Sequence, residues 1–130
     1  MKRHFILFIM LITFVCSCDD IQKQDLSSKE DSVIIVPSKV NLGTVDSTHV
    51  VVLNFEIVNK SSKNIKIVSK AKSCGCTYFK LPSTNLKANS RMKVKVDFDP
   101  KQVSGNLKKS VFLRLEDGKI LLFKFFGTVS

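Results

Sequence analysis

Histidine is scarce in this chain: there are two, and His4 stands so near the start that only His49 belongs to the body of the protein. A serine or cysteine hydrolase needs an imidazole beside its nucleophile, and a zinc centre built from one chain needs about four ligands, so one histidine argues against both. Glycine is also sparse, with five residues, and none lies in a phosphate-cradling loop or a Gly-x-Ser-x-Gly elbow. No apolar stretch reaches the roughly 20 residues that span a bilayer as a helix. Helical periodicity is missing throughout. No catalytic constellation and no cofactor motif can be assembled, and the chain reads as a non-enzyme that takes no cofactor.

Acidic residues are outnumbered, 11 against 21 lysines and arginines, giving a formal charge of +10. The basic residues are scattered rather than clustered, which describes a solvated surface and not a nucleic-acid groove. No nucleic-acid partner is expected. An acidic partner or a phosphate-rich lipid surface suits the same excess.

What is present begins with an export signal. Lys2, Arg3 and His4 precede an apolar run from Phe5 to Val15, broken only by Thr13. That run is too short to anchor and long enough for a signal-peptide core. Val15-Cys16-Ser17-Cys18 then resembles the lipobox of bacterial lipoproteins, which implies cleavage after residue 17 and acylation of Cys18. Two or more acyl chains hold a protein to a membrane where one is marginal. Loss of Lys2 and Arg3 with the leader lowers the net charge from +10 to +8. Residues 18–32 are polar and aperiodic, so they read as the lipidated cysteine and a flexible tether, with a span of roughly 20 Å. Asp19 and Asp20 resemble the acidic sorting signals of outer-membrane lipoproteins. The expected location is the cell envelope, more at the outer membrane than the inner one, facing periplasm or surface.

Ordered structure is expected over 33–130. Val33–Val36 is a β-branched run ended by Pro37, which marks an edge or a crossing between sheets, and a second extended piece follows through Val45. From His49 to Val58 the pattern alternates, with Val51, Leu53, Phe55 and Ile57 on one face. Met92, Val94, Val96 and Phe98 alternate in the same way with Arg91, Lys93, Lys95 and Asp97. A polar connection is expected over residues 83–90. Asp117-Gly118 reads as a two-residue hairpin turn that pairs Leu115 with Ile120 and Leu113 with Leu122. With that register Phe112, Leu121, Phe123 and Phe125 share a second apolar face, meaning either a strand buried on both sides or an exposed partner surface. Short strands separated by turn signals predict an all-β, immunoglobulin-like antiparallel sandwich of about 7–8 strands.

Leu42-Gly43-Thr44-Val45, Phe55-Glu56-Ile57-Val58-Asn59, Ser73-Cys74-Gly75-Cys76-Thr77 and Val94-Lys95-Val96-Asp97-Phe98 together resemble a bacterial domain family of unknown function whose hallmark is a Cys-Gly-Cys-Thr turn. The resemblance covers about residues 33–130. It implies an immunoglobulin-like sandwich of the Hydin and major-sperm-protein type, and says little about activity. This chain carries Ala88-Asn89 where the family tends to place Pro-Gly, and its last hairpin is tight at Asp117-Gly118.

With Cys18 acylated, Cys74 and Cys76 are the thiols left in a compartment that permits disulfides. Gly75 between them allows a left-handed backbone that points both side chains one way. Three readings follow for Cys74 and Cys76: small buried residues that fix a turn with Gly75 and Thr77, a redox pair activated by Lys70, Lys72 and Lys80, or a soft site for Cu(I). The domain as a whole reads as a binding or scaffolding module for an unknown envelope protein, with the thiol or copper chemistry as the alternative.

Overall fold

The computed structural model describes residues 32–130, so the leader over 1–17, Cys18 and the tether up to Asp31 lie outside the described residues. Nine strands follow in order: β1 (Val33–Val36), β2 (Lys39–Val45), β3 (Val51–Asn59), β4 (Ile65–Lys72), β5 (Thr77–Phe79), β6 (Asn85–Leu86), β7 (Ser90–Phe98), β8 (Gly105–Leu115) and β9 (Ile120–Val129). They form a four-stranded sheet, β1-β3-β7-β5, facing a five-stranded sheet, β2-β9-β8-β4-β6. The all-β sandwich is the one the alternation predicts. The additional short strand is β6, inside the stretch read as a polar connection. Leu86 there is buried in the core, a single apolar residue that carries no periodic signal.

Period-two alternation builds the inner faces. Phe55 and Ile57 of β3, and Val94, Val96 and Phe98 of β7, are buried, whereas Val52 remains 52% exposed on the outside. Pro37 stands between β1 in one sheet and β2 in the other, so the chain does cross there. Because of that crossing β2 arrives alongside β9 running the same way, and this pair is parallel in an otherwise antiparallel sandwich. Asn89 adopts φ +50°, the left-handed conformation that asparagine tolerates better than most residues, immediately before β7. That explains why asparagine suffices in a position where glycine is the alternative.

The β8–β9 hairpin corrects the expected register. Leu115 N–H donates to Lys119 O at 2.8 Å and Gly118 N–H donates to Leu115 O at 2.9 Å, so the loop is Glu116-Asp117-Gly118. Gly118 takes φ +87°, and the Asp117 carboxylate accepts from Lys119 N–H at 2.9 Å. A three-residue loop that ends on a left-handed residue, where glycine costs least, is the next most common hairpin connection after the two-residue turn. Leu113 therefore faces Leu121, and Phe112 faces Leu122. One residue of slip exchanges the two faces of a strand. Leu121, Phe123 and Phe125 consequently lie inside with Val111 and Leu113, while Phe112 and Ile120 lie outside, 37% and 62% exposed. The second apolar face of the expected register does not exist as a unit.

Aromatic rings join the sheets. Phe55 of β3 stacks on Phe123 of β9 with centroids 4.7 Å apart, and Phe98 of β7 meets Phe125 edge-on at 5.3 Å. Such pairs contribute about 0.5–1.5 kcal/mol beyond their burial. Asn59, buried at the end of β3, ties the β3–β4 turn down. Its amide donates to the carbonyls of Lys63 at 2.8 Å and Lys87 at 3.0 Å, and its oxygen accepts from Ser61.

The register predicts opposite costs for two neighbouring phenylalanines. Phe123→Ala should lower the unfolding free energy by about 3–5 kcal/mol. Phe112→Ala should change it by less than about 1 kcal/mol. Urea titration of both variants measures the difference, and equal costs would refute the three-residue loop.

Candidate functional site

Ser73-Cys74-Gly75-Cys76 is the segment by which the chain leaves one sheet at the end of β4 and enters the edge strand of the other, β5. Both ends of it are anchored. Ser73 N–H donates to Ser110 O at 2.9 Å, and Ser110 N–H donates back to Ser73 Oγ at 2.8 Å. At the far end Asp99 N–H donates to Cys76 O at 2.8 Å. Between these ties Cys74 and Cys76 form a disulfide, with Cα atoms 5.3 Å apart. The separation lies within the ordinary disulfide range.

This geometry changes several expectations. Both cysteines are half-buried at the surface and not core residues, although Cys76 packs against the margin of the core. Gly75 is not among the glycines with positive φ, and a Cβ added there would meet open space. The turn is therefore made without a left-handed glycine; its two anchored ends and the sulfur bridge define it. Thr77 is the buried member of the motif, and its hydroxyl lies 3.4 Å from Cys74 Sγ.

An open groove of about 370 Å³ runs beside the disulfide, lined by Cys74, Gly75, Cys76 and Tyr78 with Asp99, Lys101 and Lys109 among others. Lys101 and Lys109 come from the β7–β8 loop and from β8, roughly thirty residues away in sequence, and no local signal marks them. The nearby lysines do other work. Lys72 Nζ donates to Thr77 O at 2.6 Å and lies over the Tyr78 ring, and Lys70 Nζ lies 5.6 Å from the centre of the Phe79 ring. Lys80 does not line the groove.

A second cleft, of about 290 Å³, opens beside β4 and β5, lined by Lys70, Ala71, Lys72, Tyr78 and Phe79, so that Tyr78 borders both. The strand above it has a free side. β4 pairs with β8 along one edge but with β6 only at Ile65 and Lys66 along the other. Among the described residues, Ser69 to Lys72 thus presents an open strand edge with an aromatic-floored cleft beneath it.

His49 stands apart from both, its side chain 82% exposed and 3.5 Å from Asp46. Hydrogen bonds from the Thr48 backbone N–H and hydroxyl hold the Asp46 carboxyl below its ordinary pKa. Asp99 accepts from Lys101 N–H at 3.1 Å and shapes the turn after β7. Among the described residues, no group of three or more histidine, cysteine or acidic side chains is placed to hold a metal ion.

The fold and the sulfur-bridged crossing define a class: an immunoglobulin-like β-sandwich with a disulfide at the passage between its sheets. The chain belongs to the family described as "Protein of unknown function (DUF1573)", whose model matches residues 33–129. No curated protein sequence matches it. Among solved structures it is similar to a protein of unknown function from Porphyromonas gingivalis W83, with TM-score 0.65 and 12% identity over 74% of this chain. It spans 46% of that protein, about half its length. The human CEP192 PapD-like domain 7 gives TM-score 0.62 at 13% identity, covering 76% of this chain and 85% of the domain. The periplasmic chaperone SfaE gives 0.56 at 6% identity, covering 75% and 57%. At these identities the likeness is one of fold.

Two substitutions test how the turn is held. Gly75→Ala should leave stability within about 0.5 kcal/mol, since neither φ nor space forbids a Cβ. Closing a loop of three residues constrains the unfolded chain little, so the Cys74→Ser, Cys76→Ser double variant should lose only about 1.5 kcal/mol. Urea midpoints of the two proteins read both effects.

Proposed function

We propose that this chain is a lipid-anchored cell-envelope module that holds an extended, acidic segment of a partner protein along the open edge of β4. The observation that carries the proposal is that edge, Ser69 to Lys72, standing over the Tyr78–Phe79 cleft. A strand added to a free edge gains main-chain hydrogen bonds, and a cleft beside it selects alternate side chains. Phe79 and the stems of Lys70 and Lys72 offer an apolar slot, with two ammonium groups at its rim. Lysines on an edge repel a second copy of the same edge and attract carboxylates, which argues for an acidic heterologous segment over self-pairing. The net charge, +8 once Lys2 and Arg3 leave with the leader, favours the same kind of partner.

Placement at the membrane rests on the leader and on Cys18, and the likeness to periplasmic chaperones, which is of fold, is compatible with an envelope site.

Two experiments test the two halves of the proposal. Cys18→Ser should move the protein from the membrane fraction to the soluble fraction after cell lysis, and persistence with lipid would rule out acylation as the anchor. A synthetic hexapeptide alternating Asp and Val, added to the isotopically labelled Cys18→Ser protein, should shift the amide resonances of residues 69–72 and 77–79. Lys70→Glu with Lys72→Glu should weaken that binding at least tenfold, as should raising salt, since the contact is electrostatic and exposed. Shifts elsewhere, or affinity indifferent to both changes, would exclude the β4 edge.

A further inference from the structure

The disulfide beside the first groove has features that peptide binding does not use. It closes a ring over a sequence separation of only 2, so its two sulfurs stay close neighbours whether oxidised or reduced. It stabilises the fold little, because loop-closure entropy falls with loop length. Both cysteines are half-exposed and line an open groove together with two lysines. The buried Thr77 hydroxyl is aimed at one sulfur alone, Cys74 Sγ, at 3.4 Å.

We propose that Cys74–Cys76 is a thiol–disulfide exchange centre whose partner is an exported dithiol, and that Thr77 stabilises Cys74 as the departing thiolate. A thiolate of the incoming dithiol attacks Cys76 Sγ from the groove. The intermolecular sulfur–sulfur bond forms as the Cys74–Cys76 bond breaks, and the electron pair leaves on Cys74 Sγ. That thiolate accepts a hydrogen bond from the Thr77 hydroxyl, and Lys101 and Lys109 supply positive charge at the groove. The partner's second thiol, deprotonated, then attacks the partner sulfur of the mixed bond and releases Cys76 as thiolate. The two protons shed by the dithiol pass to Cys74 and Cys76. In balance, the dithiol loses two electrons and becomes a disulfide, and the Cys74–Cys76 bond gains them and becomes two thiols. Run backwards, the reduced pair reduces a partner disulfide.

The motif acquires a division of labour on this reading. Cys76 is the point of attack, Cys74 the leaving group, and Thr77 the donor that lowers the basicity of the leaving group, which is what speeds exchange. Ser73 contributes by fixing the segment to β8 through Ser110.

The test uses the full chain purified without added reductant. Dithiothreitol is added to the folded protein, samples are alkylated at intervals, and mass reports the closed pair against two alkylated cysteines. The wild type should open while remaining folded, Thr77→Val should open roughly tenfold more slowly through loss of a charge-assisted hydrogen bond, and Thr77→Ser should restore the rate. A pair that opens only after unfolding in urea overturns the proposal, and so does equal reactivity of Thr77→Val and wild type. A second measurement on the wild type does not depend on how well the variants fold. Glutathione in place of dithiothreitol, trapped by alkylation, should be found on Cys76 with the alkyl group on Cys74, and the reverse arrangement would refute Cys74 as the leaving group.

Discussion

The register of the β8–β9 hairpin is the constraint on which the rest of the molecule depends. β9 is bonded to β8 on one side and to β2 on the other, so a slip of one residue in the hairpin would reach three strands. It would also withdraw Phe123 and Phe125 from the space between the sheets and put Leu122, Lys124 and Phe126 there instead. The sandwich holds together because Phe123 meets Phe55 and Phe125 meets Phe98 across that space. A left-handed Gly118 and the Asp117 carboxylate set the register from a loop that itself buries nothing. A small local preference thereby selects a large burial, which is the usual relation between turn and core in a β protein.

The same sheet pairing creates the functional end of the molecule. β4 and β5 belong to different sheets, and the four residues between them have to bridge the full thickness of the sandwich. That passage leaves Ser69 to Lys72 of β4 without a strand partner on one side among the described residues, and leaves a gap between the two sheets, which Lys70 and Lys72 span with their stems. The disulfide is the covalent part of the passage, and the hydrogen bonds to Ser110 and Asp99 are the rest. Two clefts flank the passage, one against β8 with the sulfurs exposed to it, one against the β4 edge with aromatic rings in its floor. The proposed recognition of a chain segment and the proposed exchange at the sulfur pair would thus use neighbouring clefts of one crossing, with Tyr78 lining both.

Charge acts on this arrangement at short range. The lysines that flank Cys74 and Cys76 in sequence are turned to the β5 side, where aromatic rings and a carbonyl occupy them. Those that line the sulfur groove come from β8 and from the loop before it. The charged lining of the sulfur groove, Lys101 and Lys109 with Asp99, therefore comes together only when the sandwich is assembled. The buried Thr77 hydroxyl has the same dependence. It is placed beside Cys74 because β5 pairs with β7, where Thr77 faces Phe98.

Sequence alone determined the fold class, the inner faces of β3 and β7, a break at Pro37 that left edge and crossing open, and the prominence of Ser73 to Thr77, because period-two alternation and turn residues are local properties. It also supplied the export and lipidation reading of residues 1–18, which lie outside the described residues. Tertiary structure decided the rest. The hairpin register turned on one backbone angle at Gly118, Leu86 entered the core from a stretch with no periodicity, and the structure chose the crossing at Pro37 over an edge, which set β2 parallel to β9. Around the cysteines, the sequence named the sulfurs and the structure chose their neighbours. Contacts between residues thirty positions apart arise only when two sheets close on one another, and composition carries no record of which side chains that closure brings together.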